Sequence, residues 1–289
     1  MIKQIANDEI SQYLEYAYEI GMDLKHSAYP TYTDGLKTKE DFFKTAQRVS
    51  TEDEKWEAFL YLRDGKVQGW IHLYSQIAEK YCHIDAFSIQ SGTAEALHEF
   101  TAYLRHRYPG FTLDMGFPDV NTEAAAALKA EGFVQIEYSH VNVMKLVNYQ
   151  KKDDSKDVVP VTLENESLFH QLHDPRNGTM YWTSERILKE YHVPKQTRWH
   201  LYLLMDGEKA AACIYFLFVR NMMEVFGIDY LDQFDPASFR KLMIKALNVT
   251  KDADIFGTYN FTDDDEEEKI LQELGMDYQG DYTAYQMIL

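Results

Sequence analysis

Three groupings of side chains in the 289-residue chain could do chemistry. The first is "IQSGTA", where the small residues Gly92, Thr93 and Ala94 open a predicted helix whose start has free N–H groups. The second is "NTEAAAALKAEGF", in which Asn121 is an N-cap and Gly132 with Phe133 forms the C-terminal cap. Its run of alanines leaves a thin face that a strand or a ligand can approach. The third is histidine: His170 and His173 fall three apart on a predicted helix. No carboxylate or third ligand of known spacing accompanies them, so no metal is expected and both read as surface histidines. "TDDDEEEK" (262–269) lacks calcium-loop spacing and reads as an acidic helix start, and "LRHRY" (104–108) as cations at a helix end. Cys82 and Cys213 each sit in a strand-like run and read as small buried hydrophobes. No Ser/His/Asp signature or long Gly-rich phosphate loop occurs.

These residues need a scaffold, and periodicity supplies one twice. The first half reads as a short strand (2–5), a helix (8–24), a Tyr-rich loop and a helix near 39–49. Two strands follow around Asp64-Gly65, then the strand "YCHIDAFSI", a helix from Thr93, the strand "FTLDMGF", the helix from Asn121, and two short closing strands in "VQIEYSHVNVMKL". The second half repeats this order, with its hairpin at Asp206-Gly207. Gly132 and Gly275, Met144 and Met287, Leu146 and Leu289, and Trp56 and Trp199 each lie 143 apart. Ile84 and Ile228 lie 144 apart, which aligns Asp85 with Asp229. "VNYQKKDDSKD" reads as a linker, so the expected domains are 1–147 and 157–289.

Composition bounds the function. With 45% hydrophobic residues the chain is globular. Its longest apolar run, "AAACIYFLFV", is half of what a bilayer-spanning helix needs, and the acids in "MIKQIANDEI" oppose a signal peptide, so a cytoplasmic protein without a membrane partner is expected. The net charge of −18 repels polyanions, which argues against nucleic acid and favours a cationic or amine-bearing substrate.

The element order, with Asn121, Ala124, Gly132 and Phe133 at the spacing of the last-helix signature, resembles the GNAT superfamily of N-acetyltransferases, in tandem over nearly the whole chain. The resemblance implies an α/β (α+β) fold class: two GNAT-like domains, each a mixed, mostly antiparallel central sheet flanked by helices. It implies acetyl-CoA as co-substrate, lying between the fourth and fifth strands with its diphosphate on the following helix, hence against Phe87, Ser88, Ile89, Gln90, Ser91, Gly92, Thr93, Ala94 and Asn121. The phosphate motif is degenerate: Ile89 stands where the family has Arg or Gln. In the second copy, "QFDPAS", Asp235 caps the helix with Pro236 at its first position, so the CoA site is assigned to the first copy, whose helix has no acid before Glu95. The family's tyrosine acid is replaced by Leu128 and Leu271. Asp85 and Asp114 are then candidates for the base and Tyr138 for the acid, while Tyr29 and Tyr32 belong to the acceptor wall. The implied function is acetyl transfer to the amine of a small molecule or peptide, with a homodimer admitted. The alternatives are a catalytically silent binding or scaffolding protein and, opposed by the acidic surface, an aminoacyl transferase using charged tRNA.

Overall fold

The computed structural model of the chain describes residues 1–28, 38–178, 182–193, 198–219 and 221–289. The chain forms two compact units: Met1–His140 with Gln279–Leu289, and Val141–Tyr278.

Unit 1 contains β1 (Ile2–Ile5), α1 (Leu14–Gly21), α2 (Lys39–Ala46), β2 (Glu54–Arg63), β3 (Lys66–Gln76), β4 (Tyr81–Ile89), α3 (Thr93–Arg107), β5 (Thr112–Pro118), α4 (Thr122–Glu131) and the start of β6 (Val134–Lys145). Its strand order is β1-β2-β3-β4-β5-β12-β6, where β12 (Asp277–Ile288) is the last strand of the chain. Alternation along β2, β3 and β4 divides the core. Phe59, Ile71, Cys82, Ile84 and Phe87 meet Leu97, Phe100 and Leu104 of α3 and Leu128 of α4. Ala58, Leu60 and Trp70 face the other way, onto Leu14, Ala17 and Phe42 of α1 and α2. The β2–β3 hairpin turns at Asp64 and Gly65, both at positive φ, the geometry that suits the twist of paired strands.

Unit 2 repeats the pattern with β7 (Val158–Pro160), α5 (Glu166–His173), α6 (Ser184–Tyr191), β8 (Trp199–Asp206), β9 (Lys209–Val219), β10 (Met222–Tyr230), α7 (Pro236–Asp252), β11 (Gly257–Thr262) and α8 (Asp265–Glu273). Its order is β6-β11-β10-β9-β8-β7. Sheet and helices meet through Ala212, Ile214 and Phe216 of β9 and Leu242, Met243 and Ala246 of α7.

Several expectations are corrected. The compact units are not the contiguous halves 1–147 and 157–289, because β12 pairs antiparallel with β5 from Tyr282↔Pro118 to Ile288↔Thr112 and belongs to unit 1. Tyr285, Met287 and Leu289 pack on the unit 1 core, and Met144 and Leu146 enter the unit 2 core. The two short closing strands of the first copy are one strand, β6. The helix expected over 8–24 is a 3-10 turn at Ile10–Gln12 followed by the shorter α1. The linker is pinned along α7: Asn248 donates to the Lys152 carbonyl at 2.7 Å, and Tyr149, buried, donates to Asn248 Oδ1 at 3.1 Å.

The bulges revise the alignment of the copies. β2–β3 shifts register between Tyr61↔Gly69 and Leu62↔Val67, and β8–β9 between Leu204↔Ala212 and Met205↔Ala210, a constant offset of 143 (204 − 61 and 212 − 69). On β4 the extra residue is Asp85, between Ile84 and Ala86; on β10 it is Phe226, between Val225 and Gly227, an offset of 141 (226 − 85). The β3–β4 connection is two residues longer than the β9–β10 one (77–80 against 220–221), which accounts for the change. Asp85 therefore matches Phe226, and Asp229 matches Ser88; the expected equivalence of the two aspartates does not hold.

Candidate functional site

Unit 1 has a strand split. Parallel pairing of β4 with β5 runs over Tyr81↔Thr112, Cys82↔Leu113 and His83↔Asp114 and stops there, so the last residues of β4 diverge from β5. The bulge falls where the divergence begins and re-aims Asp85. Its carboxylate lies 2.9 Å from Nδ1 of His72, a buried ring stacked on Trp56 (5.3 Å between centroids) and Trp70 (6.3 Å). Asp85 is partly exposed (15%), so the pair has a dry histidine behind a reachable carboxylate. Asp114 is held otherwise: its Oδ1 accepts from Gln286 Nε2 at 2.9 Å, and its charge, after burial, helps push the Tyr81 phenol up. Tyr138 does not join them. It lines a pocket of about 230 Å³ with Phe117, Ala125, Lys129, Thr283 and Tyr285, on the side of β12 opposite to Gln286. Tyr29 and Tyr32 lie outside the described residues.

At the mouth of the split, α3 begins at Gly92, in the left-handed region with φ 77°, and among the described residues no side chain caps its first N–H groups. Two carboxylates are nevertheless close. Glu95 Oε2 lies 3.2 Å from where a Gly92 Cβ would stand, with Arg63 Nη1 at 2.8 Å. Glu123, from the first turn of α4, accepts from the Thr93 hydroxyl at 3.2 Å. Along the sequence the helix has no acid before Glu95, as expected, but Glu123, 30 residues away, reaches its first turn.

Of the residues expected to hold the cofactor, Gln90 and Ala94 are exposed and Ser91 and Gly92 half-buried, whereas Phe87, Ser88, Ile89, Thr93 and Asn121 are buried. The edge of β4 that faces the split is in use. Ala28 N–H donates to the Phe87 carbonyl at 3.0 Å and Ile89 N–H to the His26 carbonyl at 2.8 Å. Asn121 is spent at both ends: Oδ1 accepts from Ala124 N–H at 3.1 Å, capping α4, and Nδ2 donates to the Ser27 carbonyl at 3.2 Å. Both its roles are met inside the chain.

Unit 2 has the same divergence, its β10–β11 pairing ending at Glu224↔Tyr259. Asp235 fills the start of α7, accepting from Ser238 N–H at 2.9 Å, and these Ser238 hydrogen bonds hold its carboxyl below the usual range. His173 is fully buried, not a surface histidine. Its Nδ1 is 2.7 Å from Asp229 Oδ2 and its Nε2 2.8 Å from the Trp182 carbonyl, while Arg176 Nε lies 3.0 Å from Asp229 Oδ1. Burial disfavours the charged ring, but with acceptors at both nitrogens its pKa is raised. A charged pair this dry is a structural staple of unit 2. His170, half-buried, pairs with Asp174.

Sequence reasoning missed His72, Ser27, Glu123 and the Asp229–His173 pair. For His72 a signal existed: it lies 13 residues before Asp85, across one antiparallel connection. The others meet across 30 to 94 residues without any local motif.

No protein-family model matches the chain, and no curated protein does. Solved structures do. A GCN5-related N-acetyltransferase from Sphaerobacter thermophilus superposes with TM-score 0.65 at 11% identity, covering 100% of this chain and 95% of that one. The protein has a GNAT fold. A tandem GNAT protein from the clavulanic acid biosynthesis pathway superposes with TM-score 0.59 at 11% identity over 100% of this chain and 98% of that one. A GCN5-related glucosamine N-acetyltransferase region of a fungal multidomain β-N-acetylglucosaminidase gives 0.61 at 12% identity, over 99% of this chain and 38% of that one. The fold is therefore the tandem form, as the internal repeat implied. Among the described residues no helix is long and apolar enough to cross a membrane.

Proposed function

We propose that the chain is a cytoplasmic N-acetyltransferase that moves an acetyl group from acetyl-CoA to the amine of a small molecule or peptide, through unit 1. The observation that carries this reading is the β4–β5 divergence beside the uncapped start of α3, with the Asp85–His72 pair at the point of divergence. At the α3 start Arg63 beside Gly92 offers a diphosphate a cation, set against the Glu95 and Glu123 carboxylates, and no acid caps the helix itself; at the α7 start the Asp235 carboxylate takes the capping position that a diphosphate would need. The donor supplies an activated thioester. The protein's part is to bind the incoming ammonium and remove its proton. Asp85 does so as the carboxylate, directly or through one water, and His72 Nδ1, hydrogen-bonded to it, keeps it oriented. The amine nitrogen then forms the new C–N bond, the C–S bond breaks, and the thiolate leaves as the better leaving group without needing a protein acid.

The test is calorimetry with acetyl-CoA up to millimolar concentration, followed by a thiol-release assay over a panel of amines. Binding with turnover that falls in Asp85→Asn is expected; absence of binding in any form of the protein overturns the reading. One observation favours a second reading, a silent scaffold: the β4 groups facing the split already bond to the chain's own backbone. Binding without turnover of any amine would establish it.

A further inference from the structure

We propose that His26–Ala28 is a strap that closes the β4 side of the unit 1 split, and that it and the acyl donor exclude each other; this rests on the acetyl-CoA reading above. The bonds Ala28 N–H to Phe87 C=O and Ile89 N–H to His26 C=O are the pattern of an antiparallel pair centred on Ser27 and Ser88. The strap therefore makes, with one edge of β4, the contacts that an extended ligand bearing alternating amide N–H and C=O groups would make. The pantetheine arm of a CoA thioester is such a ligand, with two secondary amides.

The strap is held, but imperfectly. Asn121 Nδ2 grips the Ser27 carbonyl, and Ala28 is buried in the unit 1 core. The Ser27 hydroxyl, in contrast, is buried without a hydrogen-bond partner among the described residues, so the closed state strands a polar group that water would satisfy once the strap lifts. The preceding turn is local: Asp23 accepts from Lys25 N–H at 3.0 Å and contacts His26 Nδ1 at 2.8 Å, so His26–Ala28 can leave β4 without breaking α1. Among the described residues, one bond of its grip on the body of the unit is made by the same Asn121 that caps α4. Strap release is thereby coupled to the helix that borders the split.

Ser27 and Ser88 face each other at the non-hydrogen-bonded position, where Cα atoms are about 4.5 Å apart and a disulfide can form. In Ser27→Cys/Ser88→Cys, oxidation should lower acetyl-CoA affinity at least tenfold in calorimetry relative to the same protein reduced. Ala28→Pro, which removes one strap donor, should bind several-fold tighter than the unaltered chain and leave the Ile89 amide open to hydrogen exchange. Equal affinity of the oxidised and reduced proteins overturns the strap and leaves the acetyl-CoA reading intact; so does failure of the two cysteines to cross-link under oxidant. No binding by either the reduced protein or Ala28→Pro at millimolar acetyl-CoA overturns both.

Discussion

Asn121 tests how the split is held shut, because its two ends do separable jobs. Oδ1 caps α4 through the Ala124 N–H and Nδ2 holds the Ser27 carbonyl, both in a buried setting. Asn121→Ala removes both. An N-cap contributes about 1 kcal/mol, and a buried amide-to-carbonyl bond about 1 kcal/mol, with a further cost of about 1–3 kcal/mol if the Ser27 carbonyl is left without a donor. The sum, roughly 2–5 kcal/mol, should appear as a lower urea midpoint. Asn121→Asp keeps an acceptor for Ala124 N–H but sets a carboxylate against the Ser27 carbonyl, so the cap survives and the grip is lost. Hydrogen exchange separates them. The Ile89 amide, protected by the His26 carbonyl, should exchange about tenfold faster or more in both variants, tenfold corresponding to about 1.4 kcal/mol. The Ala124 amide should lose protection only in Asn121→Ala. Equal Ile89 protection in the unaltered chain and both variants would refute the idea that Asn121 holds the segment on β4.

Further outcomes follow from other sites. Asp229→Asn should cost about 3–5 kcal/mol in denaturant, because it strands a buried charged His173. His173 is raised in the folded state, so its contribution is complete below the unfolded value of about 6.5 and fades as pH rises through the folded value. The gap between the chain and Asp229→Asn should therefore narrow toward alkaline pH, and a gap that widens would refute the charge assignment. Gly116→Ala should cost about 1–3 kcal/mol in thermal or urea unfolding, since its Cβ would stand 2.0–2.4 Å from Tyr282 ring and hydroxyl atoms; a neutral effect would mean that the Tyr282 ring turns aside at no cost. Asp85→Asn should lower kcat/KM for an accepted amine by about 10²–10⁴-fold, and unchanged turnover would remove Asp85 as the base.

Much of the scaffold was legible in the sequence, since the signals that make it are local. Hydrophobic period, the Asp64-Gly65 turn, the Asn121 and Asp235 caps and the left-handed glycines Gly132 and Gly275 each act within a few residues, and the repeat near 143 made two copies of one order visible. The site was legible only in part. Asp85 stood out as a residue type, but its bulge and its buried partner His72 depend on how β3 meets β4, and the strap on β4 depends on bonds across 59 (87 − 28) and 63 (89 − 26) residues. The exchange of closing strands was hidden for a sharper reason. β6 and β12 each carry a methionine next to their last residue and a leucine just past the strand, Met144 with Leu146 and Met287 with Leu289, so either segment can offer either core the same two side chains. Composition and alternation determined that two such strands exist; which unit each completes was decided only in the tertiary structure, where β12 found its register along β5.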